Sequence, residues 1–245
     1  MNQADSPRTL SDLIGQEKIK ENLSLQISAA RKRRLALDHV LFCGPPGSGK
    51  STFAQVVANE MGVHIKALDG NSLANPSELA TVFTNLRTGD ILLIEQIEAL
   101  RKTSVEVLIH AMEDFGLDIV IGKGSSARSI RIKLPRFTVI VTAFNVLQVD
   151  VRIRKNALIY DFVSYGVDEL SQMITRLAKQ REIDIDVESA NFLAGYSNGL
   201  LSEASRLLKN VHSYAIVRAN GNITLSISKA ALGVLFDRDG KPYSL

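Results

Sequence analysis

The run Gly44-Pro45-Pro46-Gly47-Ser48-Gly49-Lys50-Ser51 decides how this 245-residue sequence is interpreted. It fits the pattern G-x-x-x-x-G-K-S/T, the P-loop, in which glycines allow backbone N–H groups to curl around phosphates. In this pattern Lys50 reaches the outer phosphates and the Ser51 hydroxyl can join Mg²⁺, while the following helix presents its positive end to the ligand. The run therefore predicts a binding site for a nucleotide and Mg²⁺.

The segments around this loop have the pattern of a parallel sheet covered by helices. Residues 40–43 form a short apolar run directly before the loop, and residues 51–61 have helical apolar spacing directly after it. Further strands are predicted at 65–68, 91–94 and 137–141, and further helices at 17–35, 78–86 and 105–115. Because continuous apolar runs are typical of strands buried on both faces, we expect an α/β domain.

Residues 117–134 have a different pattern, that of a β-hairpin. The second arm alternates apolar with basic side chains, and the predicted tip at 122–126 contains glycine and Lys123. The apolar positions are Ile130, Ile132 and Leu134, and the basic positions are Arg131 and Lys133. An exposed hairpin with apolar anchors and a basic rim is typical of a protein-binding surface.

From Asp168 onward the sequence predicts helices alone. The segments with helical spacing lie at 168–181, 187–196, 201–219 and 226–236. They are separated by short polar or glycine-containing breaks, which end helices. The change in composition near Gly166 predicts a boundary between the α/β domain and a second, helical domain.

Positive charge is concentrated in residues 119–160, although the net charge of the whole sequence is only +3. This basic block contains one acidic residue, Asp150, and eight basic ones: Lys123, Arg128, Arg131, Lys133, Arg136, Arg152, Arg154 and Lys155. Such a block can meet phosphates or an acidic partner. The alternative is an ordinary solvated surface that is balanced by acids elsewhere in the fold.

Composition excludes several other classes of protein. Apolar residues make up 45% of the sequence and charged residues 22%, which excludes a disordered chain. No stretch approaches the roughly 18 consecutive apolar residues of a membrane span, and the N-terminus lacks a signal-peptide pattern, so we expect a cytoplasmic protein without membrane contact. The single cysteine, Cys43, and four scattered histidines offer no spacing for a zinc site.

Several motifs besides the P-loop resemble those of one family. They are Ala36-Leu37-Asp38-His39, Ala58-Asn59-Glu60-Met61-Gly62, Thr84-Asn85-Leu86, Ala111-Met112-Glu113-Asp114 and Ala127-Arg128-Ser129-Ile130. Taken together, they closely resemble RuvB, the family of bacterial Holliday-junction branch-migration motors within the AAA+ ATPases. The resemblance runs from about residue 7 to about residue 241.

The resemblance implies a nucleotide-binding α/β domain at 1–165, a four-helix lid at 166–237 and assembly into a ring, as a homo- or hetero-oligomer. It also implies a third, winged-helix domain that binds DNA, which would begin at 238–245, where the sequence stops. ATP or ADP would bind at the P-loop, with Ser51 and Glu95 as ligands of Mg²⁺. The implied nucleotide contacts are Ile14, Gly44, Pro45, Gly47, Ser48, Gly49, Lys50, Ser51, Thr52 and Tyr165.

The positions that the family uses for hydrolysis differ in this sequence. An Asp-Glu pair is expected directly after the strand at 91–94, and Glu95-Gln96 stands there instead. Glu95 keeps the charge that Mg²⁺ needs but is one methylene longer, which alters the geometry at a demanding ion. The Gln96 amide cannot accept a proton from the attacking water at neutral pH. Glu98 lies about a turn farther along the chain, and we do not expect it to replace the missing base.

Three other expected groups are also altered. The end of the last buried strand should carry a polar group that senses the γ-phosphate, but Phe144 occupies that position, and Asn145 serves only if the register slips. The arginine finger should fall near 152–155, where Arg154 is a candidate without the family's surrounding sequence. In the lid, Ser202 stands where an arginine is expected. We therefore expect a nucleotide-binding protein in which no catalytic set is intact.

The leading hypothesis is a RuvB-like AAA+ ATP-binding subunit of a DNA recombination or repair assembly, with impaired hydrolysis and a structural or regulatory role. The alternative is an active ATP-dependent DNA translocase of the branch-migration type, whose chemistry tolerates Glu95, Gln96 and Ser202. A third hypothesis is an interaction module that binds nothing at Lys50.

The hairpin at 117–134 also carries a prediction about partners. It corresponds to the element with which the RuvB family docks its junction-binding partner RuvA. We therefore expect a RuvA-like or RuvB-like protein to bind at this hairpin. For DNA we expect only a weak contact, through the basic residues of 119–160, that falls steeply with salt.

Overall fold

Five parallel strands form the central sheet of the protein, in a computed structural model that describes residues 7–73, 75–121 and 128–235. The strands are β1 (His39–Cys43), β2 (Ile65–Asp69), β3 (Ile91–Glu95), β6 (Thr138–Ala143) and β7 (Ala157–Asp161), in the order β2-β3-β6-β1-β7. Every residue of β1 and β6 is buried, as the continuous apolar runs predict. The predicted α/β class with a helix-covered parallel sheet is confirmed.

Helices cover both faces of this sheet. On one face α1 (Glu17–Arg33) and α2 (Lys50–Met61) pack on Val40, Phe42 and Ile140. On the other face α3 (Pro76–Thr84) and α4 (Lys102–Asp114) pack on Leu41, Leu92 and Val141. Neighbouring residues of one strand thus belong to different cores, because successive strand side chains point to opposite faces. The two cores together fix the sheet between two layers of helices.

The strand order brings three loops to one edge of the sheet. β1 lies between β6 and β7, and β3 lies on the far side of β6. Since all these strands are parallel, the loops that follow β1, β6 and β3 leave from the same edge. The P-loop, Phe144 and Gln96 each follow directly after one of these strands. In open α/β sheets, ligands bind outside the carboxyl ends of the strands in this way.

The sequence patterns did not predict one strand and one helix of the structure. These are β7 and the short helix α5 (Val151–Lys155) that precedes it. β7 lies at the edge of the sheet, where only Tyr160 is buried, so it lacks the continuous apolar run that identifies the central strands. An edge strand with one covered face gives a much weaker sequence pattern.

The predicted hairpin is present as β4 (Gly116–Ile121) and β5 (Arg128–Lys133), which pair antiparallel from Gly116 opposite Lys133 to Ile121 opposite Arg128. Its predicted tip, 122–126 with Lys123, lies outside the described residues. One predicted surface anchor is wrong. Leu134 is only 4% exposed because it packs in the core with Phe137, whereas Ile130 is 50% exposed.

Up to residue 235, where the described part of the chain ends, four helices follow the sheet: α6 (Val167–Gln180), α7 (Val187–Gly195), α8 (Leu201–Arg218) and α9 (Leu225–Leu235). They share a third hydrophobic core, which includes Tyr165, Ile174 and Leu208. Gly166 precedes α6, and its N–H donates to Glu169 Oε2 at 2.7 Å. The domain bounds 1–165 and 166–237 stay a prediction, and 238–245 lies outside the described residues. Among the described helices, none is long and apolar enough to cross a membrane.

Candidate nucleotide-binding site

The loop between β1 and α2 has the backbone shape of a phosphate-binding loop. Gly44 and Gly47 have φ angles of +136° and +75°, which favour glycine. The N–H of Gly44 donates to the carbonyl of Ala143 at 3.1 Å, and this bond ties the start of the loop to β6. α2 begins at Lys50, so its N-terminal N–H groups face the loop. This arrangement is suited to holding phosphates.

Lys50 lies against the inside of the loop that precedes it. Its Nζ donates to the carbonyls of Gly44 and Pro45, at 2.8 Å each. Burial lowers the pKa of this ammonium, and the nearby carboxylates of Glu98 and Glu95 act in the opposite direction. The lysine is therefore held in the loop by polar contacts of the kind that a phosphate would also supply.

Three groups near Lys50 fit the phosphates and the metal ion that the loop implies. Ser48 Oγ is buried, and no described atom is its hydrogen-bond partner. A buried hydroxyl without a partner is costly, and a bound phosphate oxygen would satisfy it. The hydroxyl of Ser51 donates to Glu95 Oε1. A hydroxyl and a carboxylate oxygen in contact are ligands of the kind that Mg²⁺ prefers, so Ser51 and Glu95 fit the predicted metal site.

A cavity of about 610 Å³ opens next to the loop, within the size range of small-ligand sites. The predicted contacts that line it are Ile14, Gly47, Gly49, Lys50, Ser51, Thr52 and Tyr165. Tyr165 is 6% exposed, and its hydroxyl donates to the Ser48 carbonyl at 2.8 Å. Burial raises the pKa of Tyr165 to about 12. Of the remaining predicted contacts, Gly44 and Pro45 bear on the site through the carbonyls that hold Lys50.

Gln96 is held in place by hydrogen bonds of its backbone and of its side chain. Its backbone is left-handed, with φ at 53°, and its N–H donates to Thr142 Oγ1 at 3.1 Å. Its side-chain Oε1 accepts a hydrogen bond from Asn71 Nδ2 at 3.0 Å. Asn71 follows β2, so the side chain of Gln96 leans toward the end of that strand. Neither contact gives the amide any capacity to take a proton.

The end of β6 offers no polar side chain at the position of Phe144. This ring is 56% exposed, and the backbone N–H of the residue donates to Glu98 Oε1 at 3.0 Å. The neighbouring Asn145 is already used as a helix cap, because its Oδ1 accepts from the N–H of Leu147 at 2.9 Å. The Phe144 side chain therefore supplies no polar sensor, and the backbone N–H at this position is bound by the Glu98 carboxylate.

The helical region contacts the loop directly through Ser202. Its N–H donates to the carbonyl of Gly47 at 3.3 Å, and a Cβ added at Gly47 would collide with the side chain of Ser202. Only a glycine at position 47 therefore permits this close approach. The contact places α8 against the P-loop without any positive charge at its first turn.

Two arginines of the lid line the same cavity and were not singled out from the sequence. Arg176 and Arg181 lie on and just after α6, and Arg181 Nη2 donates to Ser205 Oγ at 3.0 Å. Arg176 Nη1 donates to the carbonyl of Asp12. Helical spacing in the sequence could have indicated this face of α6. Its residues Met173, Arg176, Leu177 and Gln180 lie on one side of the helix, and all four line the cavity.

The arginine-finger candidate lies away from this cavity, on α5. Arg154 Nε is buried and finds no hydrogen-bond partner among the described residues. Its neighbour Arg152 is fully engaged: it donates to both carboxylate oxygens of Glu106, at 2.8 and 2.7 Å, and to Asp150. Arg154 therefore stays a candidate, whereas Arg152 is bound within its own chain.

Acidic residues neutralise part of the basic block 119–160: Asp114 and Glu106 from other segments and Asp150 from the block itself. Arg131 pairs with Asp114 at 2.9 Å, and Arg152 pairs with Glu106 and Asp150. Arg136 lies over the ring of Phe115, with 4.2 Å between its Cζ and the ring centre. For these arginines the alternative given above applies: they belong to an ordinary surface whose charge is balanced by acids. The basic block is therefore less electropositive than its sequence indicates. Lys123 and the side chain of Arg128 lie outside the described residues.

Comparison with known families gives two matches that together span most of the sequence. The family described as "Holliday junction DNA helicase RuvB P-loop domain" matches residues 6–158. The family described as "RuvB AAA lid domain" matches residues 165–236. The first match contains the loop and the sheet, and the second contains helices α6 to α9.

Comparison with solved structures gives the same result. The chain is 32% identical to the Thermotoga maritima RuvB Holliday junction branch migration motor, with a TM-score of 0.85, over 97% of this chain and 76% of that one. A single-substitution variant of the Thermotoga protein is 33% identical, with a TM-score of 0.87 over 97% and 76%. Another variant is 32% identical, with a TM-score of 0.87 over 98% and 77%.

Proposed function

Because the chain belongs to the RuvB family, we propose that it is an adenine-nucleotide-binding AAA+ subunit with impaired ATP hydrolysis, acting in a DNA recombination or repair assembly. One observation carries this proposal. The P-loop and its cavity are complete, while the position of the general base holds the Gln96 amide, which is hydrogen-bonded to Asn71. The site therefore has the groups for binding a nucleotide but not the base for hydrolysing it.

The contacts of the loop support nucleotide binding. The N–H groups at the start of α2, the Lys50 ammonium and the Ser48 hydroxyl surround the place where phosphates of ATP or ADP would lie. Ser51 and Glu95 would hold Mg²⁺, which neutralises phosphate charge when it is bound. The adenine of the nucleotide would lie in the cavity between Ile14 and Tyr165, which both line it.

The same site supports binding without turnover. Loss of general-base help typically costs about 10²- to 10⁴-fold in rate. The Gln96 amide has no proton affinity at neutral pH, and Ser202 brings no cation to the P-loop. A nucleotide that stays bound would stabilise one conformation of the subunit. The subunit would act through this conformation, in a structural or regulatory role.

The hairpin is the proposed docking surface for a RuvA-like or RuvB-like protein. It forms a two-stranded sheet separate from the central one, and Ile130 on it is exposed. The ring, as a homo- or hetero-oligomer, belongs to the same proposal. DNA contact through 119–160 would be weak, because Arg131 and Arg152 already have acidic partners.

A specific observation also favours the second candidate, an active ATP-dependent DNA translocase of the branch-migration type. The Ser51–Glu95 contact supports a site for Mg²⁺, and Arg176 and Arg181 add positive charge to the cavity wall. A metal ion and positive charge beside the phosphates would also serve hydrolysis, because both stabilise the charge of the transition state.

Binding and turnover measured on one preparation separate the hypotheses. Isothermal titration with Mg-ADP and Mg-ATP tests binding, and a steady-state ATPase assay with and without Holliday-junction DNA tests turnover. Binding without turnover supports the proposal, and DNA-stimulated turnover supports the translocase. Failure to bind either nucleotide would leave only the interaction module.

A further inference from the structure

Glu98 reaches across the sheet edge to the strand next to the P-loop. It lies on a short 3-10 turn, Ile97–Ala99, that follows β3, yet its Oε1 accepts the N–H of Phe144 at 3.0 Å. Phe144 directly follows β6, which lies between β3 and β1 in the sheet. The carboxylate is thus placed at the end of the strand that flanks the start of the loop.

The strand register and a backbone hydrogen bond show how close Glu98 lies to the start of the P-loop. Cys43, the last residue of β1, lies opposite Ala143 of β6, and Gly44 of the loop donates to the Ala143 carbonyl. Phe144 is the next residue, so the group that Glu98 accepts from lies one residue beyond this link to the loop. A hydrogen bond to an ionised acceptor is stronger than a neutral one, and it holds this carboxylate in place.

The charge of Glu98 acts on two groups at the P-loop, Lys50 and Cys43. Among the carboxylates that raise the pKa of Lys50 against the effect of its burial, Glu98 acts more strongly than Glu95. Burial raises the pKa of the Cys43 thiol to about 11, and the charges of Asp161 and Glu98 raise it as well. Two carboxylates thus act on the charge of Lys50: Glu95, which accepts from Ser51, and Glu98, which is held at the end of β6.

We propose that Glu98 makes this site select a nucleoside diphosphate over a nucleoside triphosphate. The inference rests on the proposed nucleotide binding and names the ligand class that the site prefers. A P-loop lysine meets the β- and γ-phosphates, so a third phosphate would add its negative charge beside Lys50 and toward Glu98. The terminal phosphate of a diphosphate stays within the loop, next to α2. Repulsion between like charges a few ångströms apart at a protein surface corresponds to about tenfold or more in affinity.

The test compares three forms of the full chain by isothermal titration with Mg-ADP and with the Mg complex of the β,γ-imido analogue of ATP, which is not hydrolysed. The forms are wild type, Glu98→Gln and Glu21→Gln. Glu98→Gln removes the charge and keeps an oxygen that can accept from Phe144. Glu21 is an exposed residue of α1, so Glu21→Gln makes the same change of charge away from the site.

We expect wild type to bind the diphosphate at least about tenfold more tightly than the triphosphate analogue. Glu98→Gln should tighten triphosphate binding about tenfold and leave diphosphate binding nearly unchanged, and Glu21→Gln should change neither. Equal wild-type affinities, or equal effects of Glu98→Gln on both ligands, would overturn the inference while leaving nucleotide binding intact. Loss of ATP hydrolysis in Glu98→Gln from an active wild type would also overturn it, because Glu98 would then be the base. No binding of either ligand would instead refute the proposed function.

Discussion

The side-chain oxygen of Gln96 accepts a hydrogen bond from the side-chain amide of Asn71 at 3.0 Å. Asn71 is itself fixed, because its Nδ2 also donates to Asp69 Oδ1 at 3.0 Å at the end of β2. The residue at the position of the general base is therefore part of a small polar network on the side of the sheet away from β1. A carboxylate introduced at position 96 would meet the same donor.

This relationship predicts that Gln96→Glu alone restores little activity. Asn71 would hold the new carboxylate, and residues that act as a unit give non-additive effects. We expect a steady-state ATPase rate within about tenfold of background. Combining Gln96→Glu with Ser202→Arg should raise the rate more than either change does. Gln148→Glu, an exposed change of the same kind, is the matched control. A gain of about 10³-fold from Gln96→Glu alone would contradict this account.

Lys50→Ala should abolish stabilisation by nucleotide. A ligand at 100 times its Kd stabilises the folded state by about 2.7 kcal/mol, and this gain disappears if binding is lost. Thermal unfolding with and without millimolar Mg-ADP measures the effect. Lys18→Ala removes an exposed lysine of α1 and should keep the full shift. An unchanged shift in Lys50→Ala would place the nucleotide elsewhere.

Arg181→Ala should weaken nucleotide binding without unfolding the protein. Arg181 lines the cavity and is held by Ser205, so its charge is available to a phosphate or ribose oxygen. We expect about a two- to fivefold rise in Kd, the size of one surface-exposed charged contact. Arg218→Ala at the end of α8 is the control. If both variants bind alike, the lid arginine contributes nothing to the site.

His39 should make the fold less stable in mild acid. It is buried at the start of β1, where its Nδ1 accepts the N–H of Val139 at 2.9 Å and its Nε2 contacts the carbonyl of Met112 at 3.2 Å. Burial lowers the pKa of this imidazole below its ordinary value of 6.5. The neutral form is therefore favoured by folding, and its stabilisation is complete above the unfolded pKa and lost as the pH falls toward the folded pKa.

Urea unfolding between pH 7.5 and 5 measures this effect. The free energy of unfolding of wild type should begin to fall below about pH 6.5. His39→Gln, which can accept and donate in similar directions, should show a weaker dependence in this range, and the exposed His64→Gln should behave like wild type. A stability that is flat down to pH 5 in wild type would refute the assigned hydrogen bonds.

Ile130→Asp should reduce capture of a RuvA-like protein. Ile130 is exposed on β5 and is available as an apolar anchor, whereas Leu134 is buried and would test only folding. A pull-down with purified RuvA should show at least about a tenfold loss of affinity, as for a central interface residue. Leu25→Asp changes an exposed leucine on α1 and serves as the control. Deletion of 119–133 should have the same effect, and unchanged capture in both variants would remove the hairpin from the interface.

The parts of the structure that were predictable depend on local patterns. The P-loop was identified from eight adjacent residues, and β1, β3 and β6 from apolar runs that burial on both faces requires. The pairing of Arg152 with Glu106 was not predictable, because 46 positions separate the two residues. The same holds for Glu98, whose carboxylate meets the N–H of a residue 46 positions away. Contacts of this kind depend on the order of the strands in the sheet, and local sequence patterns do not reveal that order.

The central claim, that this site binds ATP but does not hydrolyse it, is tested most directly by a single-turnover experiment. Protein in excess over radiolabelled Mg-ATP, with Holliday-junction DNA present, binds the nucleotide, and the bound fraction is then separated into ATP and ADP over time. The account predicts that the retained nucleotide stays ATP for hours and that Lys50→Ala retains none. Conversion of bound ATP to ADP and phosphate within seconds to minutes, abolished by Lys50→Ala, would contradict it.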